Sequence, residues 1–177
     1  TFSKYDVKGK DAHAFLERIC ANRIPAKDGG IILGHLLNAN GFIESEITVT
    51  RLGPEHFYVL SAAVAQLHDL DQLNWRKRDG EAVTVTDITD AYGVLVLAGP
   101  RARDVLSQCT DTDLTNASFR WLTGKEATVA GVPGVPWSLS AVNDLLVEGP
   151  EIYTLTLALA AGSHPACQLG DSAATIT

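Results

Sequence analysis

Residues 34–52 read GHLLNANGFIESEITVTRL, and an antiparallel hairpin is the fold element this stretch demands. The apolar pair Leu36–Leu37 runs into Asn38-Ala39-Asn40-Gly41, a cluster of turn residues, and the chain leaves in an alternating run. With a side-chain period of two, Ile43, Ser45, Ile47 and Val49 share one face. Glu44, Glu46, Thr48 and Thr50 share the other. A second strand, His56 to Ala62, follows Gly53-Pro54-Glu55, again a hairpin connection. Connections this short leave no room for a parallel crossover.

Around the hairpin, one unit occurs twice. Lys4 to Lys8 alternates as a strand, Gly9 breaks it, and Ala12, Phe15, Leu16 and Ile19 recur at helical spacing with Asp11 in the first turn. Later Val94 to Leu97 reads as a strand, Gly99-Pro100 as the break, and Ala102, Val105, Leu106 and Cys109 as the helical face. Overlaying Gly9 on Gly99 sets Ala12 on Ala102, Leu16 on Leu106 and Ile24 on Leu114. Between the copies, Val64 to Arg76 reads as a helix with Leu67, Leu70 and Leu73 on one stripe and Trp75 beside it, and Ala82 to Ile88 as a strand.

The expected fold class is therefore α+β: two antiparallel-sheet lobes with helices, residues 1–90 and 91–177, related by a diverged internal repeat. Beyond Gly131 the pattern weakens. Short strands are expected around Trp137 to Leu139 and Leu145 to Glu148, then a helix near Tyr153 to Ala161.

Charge excludes one class of partner. Fourteen Lys and Arg against 21 Asp and Glu leave a net charge of −7, the wrong sign for a nucleic-acid surface. The one basic knot, Arg76-Lys77-Arg78, reads as a solvated helix end. No apolar run approaches the ~18 residues that span a bilayer, and no stretch at the start has signal-peptide character. Three widely spaced cysteines fit buried thiols in a reducing compartment, so the expected location is cytoplasmic. A chain without methionine that starts at Thr1-Phe2 is expected to be a piece of a longer polypeptide, or a remnant of one.

Strong catalytic motifs are missing. The five histidines are scattered, and His164 near Cys167 does not make a zinc site, which takes three or four ligands. There is no Walker loop, no Gly-x-Ser-x-Gly and no Gly-x-Gly-x-x-Gly, so this chain is not expected to bind FAD in the Rossmann manner. His68-Asp69 with Asp71 reads as the polar surface of a helix. The hairpin carboxylates are different. A carboxylate at a strand entry beside a glycine turn can be partly desolvated yet reachable, the condition for holding a cationic amine or a ring N–H. A solvated outer face is the other reading of the same pattern.

Taken in order, the segments CANRIPAKDG, HLLNANGFIESEITVTRL, FYVLSAAVAQLHDLDQL, TDAYGVLVLAGPRARDVL and FRWLTGKEATVAGVP resemble the folate-binding T-protein (aminomethyltransferase) superfamily over Phe2 to Pro133. The likeness is greatest to its C-terminal folate-binding regions of dimethylglycine and sarcosine dehydrogenases, through TVTRL, LHDLD and LAGPRARDVL. The resemblance implies a tetrahydrofolate site at the centre of a three-lobed molecule, with 5,10-methylenetetrahydrofolate as product.

Carried over by position, Ser45 and Glu46 fall where the glycine-cleavage members have adjacent aspartates, which makes Glu46 the candidate catalytic carboxylate. Leu33 replaces a tyrosine before the Leu-Asn turn, and Ser61 replaces an asparagine at the end of the next strand. Glu151 falls at the pterin-binding glutamate, with Pro150 in place of an aromatic and Glu148 as a rival register. The family's later Arg-x-Glu element is absent, since no arginine follows Arg120, and its third, barrel-like lobe is missing.

Two functions follow as expectations. One is a tetrahydrofolate-binding module taking a one-carbon unit from a demethylated amine, with the flavin on a flavoprotein domain or subunit. The other is a non-catalytic scaffold that keeps the core and has lost the site. A missing lobe also implies exposed apolar surface, hence a partner or a homo-oligomer.

Overall fold

The computed structural model describes residues 2–127, 137–142 and 152–158. Nine strands and three α-helices are formed by these residues, and all strand pairs are antiparallel. The fold is thus mixed α and β with antiparallel sheets.

The first sheet holds β1 (Phe2–Lys8), β2 (Ile31–Leu37), β3 (Ile43–Gly53), β4 (His56–Ala62) and β5 (Thr84–Asp87), in the spatial order β2-β3-β4-β1-β5. The second holds β6 (Tyr92–Ala98), β7 (Gly124–Ala127), β8 (Trp137–Val142) and β9 (Ile152–Ala158), in the order β6-β9-β8-β7. Helices α1 (Ala12–Ile19) and α2 (Gln66–Trp75) belong to the first sheet's part of the chain, and α3 (Ala102–Ser107) follows β6.

The turn at Asn38 forms as its residues dictate. Gly41 N–H closes the turn on Asn38 O at 3.0 Å with Gly41 in the left-handed region, and the Asn38 side chain accepts from Asn40 N and Phe42 N. The register has one irregularity. Leu36 pairs with Ser45 but Leu37 with Ile43, which leaves Glu44 in a bulge. Ile43 is consequently exposed, outside the inward row on which alternation places it.

One sheet face carries the core. Tyr5, Val7, Leu36, Ile47, Val49, Phe57 and Val59 pack with Ala12, Phe15, Leu16 and Ile19 of α1 and Leu73 of α2. The α1 residues are those its spacing selects. Burying side chains of this size, at ~1.5–3 kcal/mol each, is the main favourable term. In α2 the stripe is rotated relative to expectation. Leu73 is buried and Leu70 half-buried, while Leu67 is 75% exposed and Trp75 80% exposed. Asp69, one turn before Leu73, takes the inward place.

The two strand–glycine–helix turns are alike in detail. Gly9 and Gly99 have φ of 132° and 129°, and each accepts the first helical N–H at 3.0 Å, from Ala12 and Ala102. At Gly9 the constraint is also spatial, since a Cβ would stand 2.0 Å from Ala82 O.

Two expectations need correction or lie elsewhere. Ile152–Ala158 is a strand, not the helix expected near Tyr153 to Ala161. Its Ile-Tyr-Thr-Leu-Thr-Leu run has the β-branched and aromatic content and two-residue period of a strand, and it pairs with β6 and β8. The strand expected at Leu145 to Glu148 lies outside the described residues.

Candidate functional site

The pleat separates the expected site residues into two sets. Ser3, Ser61 and Ile47 are register partners, so Ser61 lies on the core face with Ser3, and Ser45 joins them two residues along β3. Glu46 and Leu33 lie on the opposite face, opposite His35 and Thr48 respectively.

On the core face the polar residues gather under the start of α2. Ser45 Oγ donates to Asp69 Oδ1 at 2.7 Å in a buried contact. Asp69 is 1% exposed, and its Oδ2 is buried with no hydrogen-bond partner. His68 Nδ1 lies 3.0 Å from the same Oδ1, and His68 Nε2 lies 3.6 Å from Glu44 Oε1. The His68 pKa is raised, chiefly by the hydrogen bond to Asp69; desolvation opposes this, and Glu44 adds a lesser push upward.

Beneath them, the Tyr5 hydroxyl donates to Gln66 O at 2.7 Å. Burial raises the Tyr5 pKa, countered by the neighbouring Ser61 and Ser3 hydroxyls. Ser61 sits against this phenol, yet its Oγ completes no hydrogen bond of acceptable geometry. The reading of His68-Asp69 as surface polarity is therefore corrected for Asp69. Its signal was present: it stands four residues before Leu73, on the buried stripe.

On the outer face, Glu46 is open, with its side chain 62% exposed and its Oε2 3.2 Å from His35 Nε2. Leu33, 43% exposed, stands in the adjoining register row, and its carbonyl accepts from Asn22 Nδ2 at 2.7 Å. Farther along that row, Leu60 and Lys4 are buried. Lys4 Nζ donates to Phe2 O at 2.6 Å, and burial lowers its pKa against the pull of Asp87 and Asp90. The accessible part of this face is thus the β2–β3 edge. It offers a carboxylate acceptor, an imidazole and an exposed apolar side chain side by side. Glu44, expected to share this face, instead approaches His68 through the bulge.

Glu151 and Glu148 lie outside the described residues. Among the described residues no group of three or more His, Cys, Asp or Glu side chains is arranged to hold a metal ion. Nor is any helix among them long and apolar enough to cross a membrane.

The antiparallel five-stranded sheet with two helices on one face is consistent with the T-protein fold. The chain belongs to the GCVT N-terminal domain family, whose pattern matches residues 1–153. It is 35% identical over 153 residues to a mitochondrial dimethylglycine dehydrogenase of Rattus norvegicus, covering 86% of this chain and 17% of that protein. It is 31% identical to the sarcosine oxidase alpha subunit of Rhizobium meliloti, covering 72% of this chain and 13% of that one. The chain therefore spans less than a fifth of the length of these relatives. In fold it is similar to the glycine cleavage system aminomethyltransferase T from Bartonella henselae, with a TM-score of 0.68 at 22% identity over 89% of this chain and 40% of that structure's chain.

Proposed function

We propose that this chain is the tetrahydrofolate-binding, aminomethyltransferase-like region of an enzyme that demethylates amines of the dimethylglycine or sarcosine type. The observation that carries the reading is the open β2–β3 edge, where Glu46 and Leu33 stand in adjoining rows of the sheet. A carboxylate acceptor beside an apolar side chain suits a flat heteroaromatic ring with N–H donors. Tetrahydrofolate, when bound, supplies the nitrogen that takes up the one-carbon unit and leaves as 5,10-methylenetetrahydrofolate.

Within this reading, Glu46 stabilises the cationic carbon unit and holds it in place, which is electrostatic and positional work. Leu33 covers one ring face. Ser45 and Ser61 lie beneath the sheet and support the strand entry from the core side. Glu151 is the second contact to the pterin. Two lobes, 1–90 and 91–177, derive from one duplicated strand–glycine–helix unit, and the matching turns at Gly9 and Gly99 support this.

The flavin sits on a flavoprotein domain or subunit. Exposed Phe42 and Ile43 at the hairpin tip, Val64 just before α2, and Leu67 and Trp75 on α2 support contact with that partner, and sedimentation of the chain alone tests it. A monomer that binds the flavoprotein region supports this arrangement, and a self-associated dimer replaces it with a homo-oligomer. A reducing, cytoplasmic location rests on the cysteines, of which Cys20 and Cys109 are free thiols. The rat relative is named mitochondrial, and cell fractionation decides.

Thermal unfolding with and without 5-formyltetrahydrofolate, a stable reduced folate, tests the function. A ligand that binds only the native state adds about 2.7 kcal/mol at 100 times its dissociation constant. Glu46→Gln and Glu151→Gln should each reduce the response. No shift at millimolar ligand would favour the scaffold reading instead. One observation already points that way: the Ser45 hydroxyl, at the position of an expected carboxylate, is taken up by Asp69.

A further inference from the structure

We propose that Asp69 of α2 supplies, through Ser45, the inward carboxylate of the β3 entry, and so acts as a positioning residue for Glu46. The proposal rests on the reading of the β2–β3 edge as the ligand face. The carboxylate has moved from the strand to the helix, and a serine remains to meet it.

Three observations converge on this assignment. First, Asp69 occupies a place on the buried stripe of α2 that an apolar residue would fill at no electrostatic cost. It is 1% exposed, and one carboxylate oxygen has no partner. Burying an ionisable group in this state is unfavourable by itself, so its partners account for its place. Second, the Oδ1 that is partnered receives Ser45 Oγ at 2.7 Å across 24 residues of sequence. A carboxylate on residue 45 would occupy the space that Ser45 and Asp69 now fill together.

Third, the strand needs an anchor at this point. The bulge between Leu36 and Leu37 leaves Glu44 unopposed, so ladder pairing alone fixes the register weakly here. A slip by one residue would turn Glu46 into the core and Ser45 out. Asp69 holds residue 45 inward, and the pleat then holds residue 46 outward. His68 joins the same cross-link, with Nδ1 at 3.0 Å from Asp69 Oδ1 and Nε2 at 3.6 Å from Glu44 Oε1. The helix thereby grips both residues that precede Glu46.

A carboxylate swap on the full chain tests the assignment. Asp69→Ser should lower Tm by roughly 3 °C or more and return the His68 imidazole titration toward its ordinary range near 6.5. Adding Ser45→Asp should recover at least half of both the Tm loss and the stabilisation by 5-formyltetrahydrofolate. Asp69→Leu separates position from stability. It removes the buried carboxylate with its unpartnered oxygen, so Tm holds or rises, yet the reduced-folate response falls at least fivefold in apparent affinity because Ser45 has no acceptor. A double variant no better than Asp69→Ser, or an Asp69→Leu protein that responds like the parent, overturns the proposal. If the parent chain shows no folate response, the reading of the face fails. Rescue of Tm and of the His68 titration by the swap then decides the Asp69 assignment by itself.

Discussion

Gly34 is a position in the middle of a strand where one methyl group should be costly. It lies in β2 opposite Ile47, and a Cβ placed there would stand 2.1 Å from Cys20 Sγ and 3.0 Å from Ile32 Cδ1. Ordinary contact between such atoms begins near 3.5 Å, so the sulfur must move by more than 1 Å or the strand must lift. Cys20 has little freedom to yield. It is buried, its N–H donates to Leu16 O at 3.0 Å, and it bridges to Leu36.

Overpacking of this kind costs about 1–3 kcal/mol, offset in part by the ~0.5–1 kcal/mol that alanine gains over glycine in a strand. A net loss of ~1–2 kcal/mol corresponds to roughly 2–8 °C in Tm for a chain of this size. Cys20→Ala removes the obstructing sulfur. In urea unfolding of the parent, both single variants and the double, Gly34→Ala should be better tolerated in the Cys20→Ala background by at least ~1 kcal/mol. Strict additivity, within about 0.3–0.5 kcal/mol, would refute the clash as its cause. Because Leu33 and His35 flank Gly34, the single variant should also weaken the reduced-folate response, and the double should restore it.

His68 gives a pH dependence with a definite sign. Asp69 first, then Glu44, raise its pKa in the folded state, so the protonated imidazole favours folding. That contribution is complete below about pH 6.5 and disappears as pH rises through the higher folded value. The stability gap between the parent and His68→Gln should therefore be wide near pH ~5.5 and narrow near ~8.5, and a pH-independent gap would exclude the contact. Burial raises the Cys20 thiol pKa, so native-state alkylation followed by mass spectrometry should label Cys109 while sparing Cys20. Phe57→Ala, at a fully buried ring beneath the Arg51 guanidinium, should cost about 3–5 kcal/mol in urea unfolding. Trp75→Ala should change stability by less than ~0.5 kcal/mol, since the side chain is exposed, and any loss of association would assign it to a partner surface.

The parts of this fold that can be read from the sequence are those whose cause is local. The Asn38–Gly41 turn, the alternation of β3 from Ser45 to Val49, the strand at His56–Ala62 and the Ala12–Phe15–Leu16–Ile19 face of α1 each depend on neighbours within a few residues, and each forms as expected. The same holds for β1, which ends at Lys8, just before Gly9. The stretch near Tyr153 fails for the opposite reason. Its local β-branched, two-residue pattern runs into Ala-Leu-Ala-Ala, which favours a helix, and pairing with β6 and β8, distant in sequence, decides for the strand.

The candidate site lies between these cases. Alternation correctly places Ser45 inward and Glu46 outward, because that split follows from the pleat alone. It misplaces Glu44, because a bulge adds one residue to one strand, and nothing in the stretch Ile43-Glu44-Ser45 announces which residue is extra. Asp69 was hidden by a further degree of freedom, the rotation of α2 about its own axis. With three leucines available at positions 67, 70 and 73, apolar content favours turning Leu67 inward, which would expose Asp69. The observed rotation does the reverse, leaving Leu67 in solvent and Asp69 in the core. A helix gives up a leucine for a carboxylate only where the surrounding structure supplies donors, and here Ser45 and His68 supply them. The pleat puts residues 45 and 46 on opposite faces, and in our proposal the contact between Ser45 and Asp69, 24 residues apart, fixes which of the two faces the core and accompanies the rotation of α2. That contact links the core to the edge that we assign to the ligand, so a substitution aimed at either should perturb both.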